Sequence, residues 1–238
     1  MTGWKSWEPH AIRLSSNRRV IRVQLLSVQY GLEARALPPG YSLSTESESL
    51  NNTLNGLDLN EPFDIVAWSF GAEISLDYAL NHPDMVRTLT LIEPPAVWVF
   101  GGKDPEDEAF RRMQEMGRTI RGSVTEEQLM IFLHDAGIVP EDVDPRTLPQ
   151  WSGWNIHRQS LLNTMASMEH KDDPARLRNF ERPVLLVKGT GSALWLHKVI
   201  DLLADNLPNS RVIELPGGHA PQLVSMDRFK EELSRFQG

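Results

Sequence analysis

The stretch Phe63-Asp64-Ile65-Val66-Ala67-Trp68-Ser69-Phe70-Gly71-Ala72 constrains this chain more than any other. An apolar run of strand character ends in a serine. Helical spacing begins directly after it, carried by Leu76, Ala79 and Leu80 and stopped before Pro83. A chain that passes from strand to helix on one residue lifts that side chain clear of the sheet and leaves the next amide at a helix N-terminus. Small residues stand two before and two after the serine, at Ala67 and Gly71, as expected where flanking β-carbons would meet the backbone of so sharp a turn. A-x-S-x-G is therefore a variant of the G-x-S-x-G nucleophile elbow. Ser69 is the candidate nucleophile and the Phe70 N–H a candidate oxyanion donor. The plainer alternative is a buried serine capping a helix.

Further strands are read at Val20–Leu26, Val86–Ile92, Pro183–Val187 and Arg211–Leu215. Helical patterns lie between them: one from near Thr45, with Glu48 completing a possible capping box, one through Ile200, Leu203 and Leu207, and one at the C-terminus through Phe229, Leu233 and Phe236. Strands alternating with helices predict a mostly parallel sheet flanked by helices, an α/β fold. Between Val97 and Phe180 the alternation stops, and the patterns at 110–120, 126–136 and 156–168 are helical. The expected organisation is a core of residues 1–96 and 181–238 with a helical cap, 97–180, inserted between two strands. A chain of 238 residues is long enough for one such domain.

Composition excludes several other classes. The net charge of −8, from 24 basic and 32 acidic residues, argues against a nucleic-acid or anionic-membrane partner. With no cysteine there is no disulfide, thiolate metal site or cysteine nucleophile. No metal-ligand spacing or phosphate-binding glycine loop is present, so neither metal nor cofactor is expected. No apolar run approaches a membrane span, and residues 1–30 lack a signal-peptide pattern, which makes the cytoplasm the expected location.

A serine hydroxyl needs a base within hydrogen-bond reach, and the base needs a third group to orient it. Of seven histidines, only His219 falls just past the end of a late strand, in the glycine-rich turn Pro216-Gly217-Gly218-His219. That edge of a parallel sheet is where sites form, and His219 is the candidate base. Taken together, the Ala67–Ala72 elbow, the segment Asn81-His82-Pro83-Asp84-Met85-Val86-Arg87 and Gly217-Gly218-His219 resemble the α/β-hydrolase superfamily over essentially the whole chain. The resemblance implies Ser69 as nucleophile and His219 as base, in the chain order Ser…acid…His that this fold uses.

Two departures from the family pattern stand out. The acid usually lies three residues past the glycine ending the second-last strand, here Gly189, and that position holds Ser192. Glu93 ends the strand after the elbow, in Leu91-Ile92-Glu93-Pro94-Pro95, where lactone hydrolases similar to those acting on zearalenone carry a glutamate acid. Glu93 is the expected third member, against the plainer reading of a strand-end carboxylate bound to backbone amides or an arginine. Asp205 is the weaker alternative, because it falls in a helical pattern. The second departure is at the start. Family members have three strands before the first helix, the third ending in His-Gly, whereas this sequence opens on Met1-Thr2-Gly3-Trp4, similar to the stretch directly after that pair. The resemblance implies a truncated or mis-started chain, a sheet opened between the Val20 strand and the elbow strand, and a Met1 amine near the oxyanion site.

Trp68 adjoins the nucleophile, Trp98 opens the cap, and Trp151, Trp154 and His157 lie within it. These residues predict a pocket for a small apolar or aromatic ester or lactone, although each could equally pack the cap onto the core. The expected activity is a serine hydrolase working through an acyl-enzyme. The alternatives are a catalytically defective binding protein of the same fold and a hydrolase of carbon–carbon bonds. The oligomeric state is not encoded in any feature of the sequence.

Overall fold

The computed structural model describes residues 3–59, 61–102, 106, 108–120 and 123–238. Met1, expected near the oxyanion site, lies outside them. A 3-10 turn, Gly3–Trp7, leads into α1 (Glu8–Leu14), which starts with Pro9 in its first turn. α2 (Leu26–Leu32) and α3 (Leu43–Asn55) follow, then β1 (Phe63–Trp68), α4 (Phe70–Asn81) and β2 (Val86–Ile92). The segment after β2 is helical: α5 (Glu108–Thr119), α6 (Glu126–Asp135), α7 (Trp151–Ile156), α8 (Thr164–Glu169) and α9 (Ala175–Arg178). The chain closes with β3 (Val184–Gly189), α10 (Leu194–Asn206), β4 (Ser210–Leu215), α11 (Pro221–Val224) and α12 (Met226–Gln237).

The four strands form one parallel sheet in the order β1-β2-β3-β4. Alternate side chains feed its two faces. Leu89, Leu91, Val184 and Leu186 pack with Leu76, Ala79, Val199 and Leu203 of α4 and α10. Ile92, Leu185, Val187 and Leu215 pack on the other face with Phe229 and Leu233 of α12 and with Leu14 of α1. Both faces are covered, as a parallel sheet requires. A third apolar cluster, including Leu129, Leu133, Val139 and Leu161, belongs to the helical segment itself.

Three expectations are corrected. Val20–Leu26 is not a strand: residues 19–25 pair with no ladder, and Leu26 opens a helix. The buried Glu46 carboxylate accepts the N–H groups of Leu26 (2.8 Å) and Ser27 (2.7 Å), which are orphan donors of a first helical turn. A cavity of about 1290 Å³ is lined by residues 20–23 and 25 and by β1. The α3 capping box is Ser42 with Thr45, so the helix begins at Leu43, before the expected Thr45–Glu48 box. The pattern at 156–168 is not one helix but the end of α7, a 3-10 stretch Arg158–Asn163, and α8.

Candidate active site

β1, β2 and β4 each lead one side chain to the same end of the sheet. Ser69 follows β1, Glu93 follows β2, and His219 follows β4 through a turn of glycines. His219 Nε2 lies 2.8 Å from Ser69 Oγ. On the other side of the ring, Nδ1 lies 3.5 Å from Glu93 Oε2, at the outer limit of a hydrogen bond. Two firmer contacts hold that carboxylate: Gly189 N–H donates to Oε1 at 2.6 Å, and the Ser192 hydroxyl donates to the same oxygen at 3.0 Å. Glu93 is fully buried and His219 is 3% exposed. Asp205, the weaker acid candidate, is exposed near the far end of α10.

Backbone strain marks the same two strand ends. Ser69 (φ 55°) and Glu93 (φ 49°) are non-glycine residues with left-handed φ, joined among the described residues only by Ala34 and Asp58. Such conformations cost about 1–3 kcal/mol and persist where surroundings over-determine them. Here the ladder does so: Ser69 N–H donates to Ile92 O at 2.8 Å, and Glu93 N–H to Val187 O at 3.1 Å. Ser69 is thereby set as N-cap of α4, and Phe70, its first residue, carries one of the N–H groups that a helix cannot satisfy internally. The small residue at Gly71 is not imposed by a clash, because a β-carbon there would meet only Leu25 Cδ1, at 3.9 Å.

The close approach is elsewhere. A β-carbon on Gly189 would fall 2.0 Å from Gly218 O, and one on Gly218 would fall 1.9 Å from Gly137 O. Three backbones meet there without side chains, which lets the His219 turn pack against the end of β3. The His219 N–H donates to Gly137 O at 3.0 Å, tying this turn to the loop after α6. The Trp68 indole N–H donates to the His219 carbonyl at 2.5 Å.

The cavity beside β1 opens onto this cluster: Trp68, Ser69, Phe70 and His219 line it, and Trp154 contributes from the helical segment. Trp98, Trp151 and His157, expected at the same pocket, are not part of its wall. Trp98 is buried in the core with its ring edge toward His170, and Trp151 packs into the apolar cluster of the helical segment. His157 is half-buried, and burial is the leading cause that lowers its pKa. Burial likewise lowers that of His170, against the opposing charges of Asp77 and Asp172. Sequence reasoning missed three contributors to the cluster: Ser192 as a hydrogen-bond donor, the Gly189 amide, and Gly137. Only the last carries a signal in the sequence, a glycine directly after a helix.

The fold and these strand-end residues define an α/β protein of hydrolase type, and the comparisons agree. The sequence matches the alpha/beta hydrolase family over residues 2–232, and the chain belongs to that family. It is 28% identical over 175 residues to a pimeloyl-[acyl-carrier protein] methyl ester esterase of Neisseria meningitidis serogroup B, covering 72% of this chain and 67% of that one. It is 25% identical over 219 residues to a Klebsiella pneumoniae protein provisionally named carbamate hydrolase RutD, covering 87% and 78%. Among solved structures, Est816, titled an N-acyl homoserine lactone degrading enzyme, superposes with a TM-score of 0.71 at 21% identity, covering 99% of this chain and 89% of that one. The two relatives matched by sequence are both named for hydrolysis, of a methyl ester and of a carbamate. No helix among the described residues is long and apolar enough to cross a membrane.

Proposed function

We propose that this chain is a serine hydrolase of small apolar or aromatic esters or lactones, acting through an acyl-enzyme without metal or cofactor. The observation that carries the reading is the 2.8 Å contact between Ser69 Oγ and His219 Nε2, with Glu93 on the far side of the imidazole. Ser69 attacks the substrate carbonyl while His219 takes its proton. Glu93 orients the ring and offsets the positive charge that forms on it. The Phe70 N–H, at the start of α4, faces the developing oxyanion. His219 then returns the proton to the leaving alcohol. A water activated by the same imidazole releases the acid and restores Ser69. Residues 97–180 serve as a cap, their Trp154 contributing to the wall of the crevice. The apolar lining from Leu25, Ile65 and Val66 suits an apolar acyl or alkyl group. The esterase and lactone-degrading names among the relatives and structural neighbours favour ester chemistry.

A fluorophosphonate probe followed by mass spectrometry tests the nucleophile. The expected result is one adduct on Ser69 in the wild-type chain, none in Ser69→Ala, and loss of hydrolysis of p-nitrophenyl esters in that variant. An unlabelled wild-type protein that still binds apolar esters would replace this reading with a binding protein of the same fold.

A further inference from the structure

Away from Ser69, three side chains from distant parts of the sequence converge where α4 meets the segment returning from the helical region to β3. Asp77 lies on α4, eight residues past Ser69, roughly 12 Å along a helix. His170 and Asp172 lie between α8 and α9. One donor atom from each falls within 4.8 Å of the others. His170 Nε2 stands 4.0 Å from Asp77 Oδ1, and the side chains of His170, Asp77 and Asp172 are 11%, 8% and 9% exposed.

The Asp77 side chain is largely buried, 8% exposed, and has few partners. Its Oδ2 accepts one long hydrogen bond, 3.3 Å, from Asn81 Nδ2. Its Oδ1 stands 4.0 Å from the imidazole, too far for a hydrogen bond, and among the described residues no lysine or arginine pairs with it. Buried carboxylates are ordinarily paired with a cation, firmly hydrogen-bonded, or bound to a metal. The surrounding groups hold the two aspartates in place rather than neutralise Asp77. Arg176 donates to Asp172 Oδ2 at 2.6 Å and to Asn81 Oδ1 at 2.8 Å. Asp172 Oδ1 accepts the Asp173 N–H at 2.7 Å. An ionised carboxylate has about four lone-pair sites, so both aspartates retain acceptor capacity toward the space they share.

We propose that Asp77, His170 and Asp172 bind one divalent cation of the zinc class, pinning the returning segment to the helix that carries Ser69. One imidazole nitrogen with two carboxylate oxygens suits a borderline ion better than magnesium or calcium, which prefer oxygen alone. Donors on a tetrahedral ion at about 2.0–2.1 Å lie about 3.3 Å apart, so an ion drawing the three donors together would shorten the 4.0 Å His170–Asp77 separation by less than an ångström. Asn81 and Arg176 act as the outer partners that orient metal ligands. No spacing in the sequence announces such a site, because its donors come from α4 and from a loop beyond the helical region.

The test uses the full chain, stripped with chelator and titrated with Co2+ and then Zn2+ alone. Uptake is read by equilibrium dialysis with metal analysis and by the visible absorption of bound Co2+. The expected result is a single equivalent of Co2+, displaced by Zn2+, with a raised Tm. Ser69→Ala should bind identically, which separates this site from the catalytic reading. Asp77→Asn and His170→Gln should each weaken uptake roughly 10-fold or more. Circular dichroism of metal-free His170→Gln checks that the fold is kept. Absence of stoichiometric uptake in the micromolar range, or unchanged uptake in both variants, would overturn the assignment and leave the cluster a contact between an imidazole and two carboxylates.

Discussion

In the proposed mechanism Glu93 uses one oxygen for support and the other for chemistry. Oε1 takes the Gly189 amide and the Ser192 hydroxyl, and Oε2 is left facing the imidazole. The two neighbours therefore differ in what their removal should cost. Glu93→Gln keeps the shape but discards the charge that stabilises an imidazolium, and kcat for ester hydrolysis is expected to fall about 10³–10⁴-fold. Ser192→Ala leaves the charge and removes one of its supports. A fall in kcat of about 3–10-fold with KM unchanged is expected, a fraction of what a hydrogen bond to a charged group contributes. Ser192→Thr, which restores the hydroxyl, should recover most of it. Equal activity in Ser192→Ala and wild type would remove Ser192 from the site. In one dimension Ser192 is only a serine standing where a carboxylate is expected. Its partner lies 99 residues earlier, and nothing local in the sequence encodes that contact.

At the scale of the element, α4 both sets Ser69 and buries a carboxyl group one turn later. Burial above all pushes Glu73 well above the usual carboxylate range, the Asp77 charge adds to the rise, and a hydrogen bond from Ser167 opposes it. The folded state thus keeps a proton that the unfolded chain releases near pH 4.5. Stability from this group is full below that pH and declines as pH rises toward the folded value. Glu73→Gln removes the decline. Its Tm should exceed that of wild type at pH 8 by several degrees and converge with it near pH 4, as thermal unfolding across pH will show. Parallel curves would mean that Glu73 releases its proton in the fold as readily as in the unfolded chain. Elements of this kind were the readable part of the sequence. All four strands of the sheet are marked by strand patterns, and α10 and α12 follow 3.6-residue spacing, because burial on one side of a regular element leaves a regular pattern. The segment at 20–26 has an equally good strand pattern. It fails because pairing requires an adjacent ladder, and because Glu46, twenty residues away, caps a helix at Leu26. Strand propensity is local, whereas both of those conditions are tertiary.

Across the whole molecule, the helical segment and the sheet meet the proposed catalytic base at one residue. Gly137 follows α6 with φ 70°, and its carbonyl accepts the His219 N–H. A β-carbon at this position would approach Ser192 Cα and Ala193 N to 2.9 Å, and neither is a flexible group that can move aside. Gly137→Ala therefore combines a left-handed φ, costly for alanine, with a wedge driven against the loop that supports Glu93. The sheet, with its two packed faces, has no reason to unfold, so the strain is expected to be relieved by a shift of the helical segment and of the turn that bears His219. A displacement near 1 Å at a catalytic group is enough to cost about 10²-fold in rate. Gly137→Ala should accordingly lose far more kcat than stability: a fall of about 10²-fold with a Tm lowered by about 4–8 °C, as about 2 kcal/mol would give in a chain of this size. Retained kcat with the same drop in Tm would show that the position of His219 is fixed by the β3–β4 end alone, and that the 137 carbonyl only accompanies it.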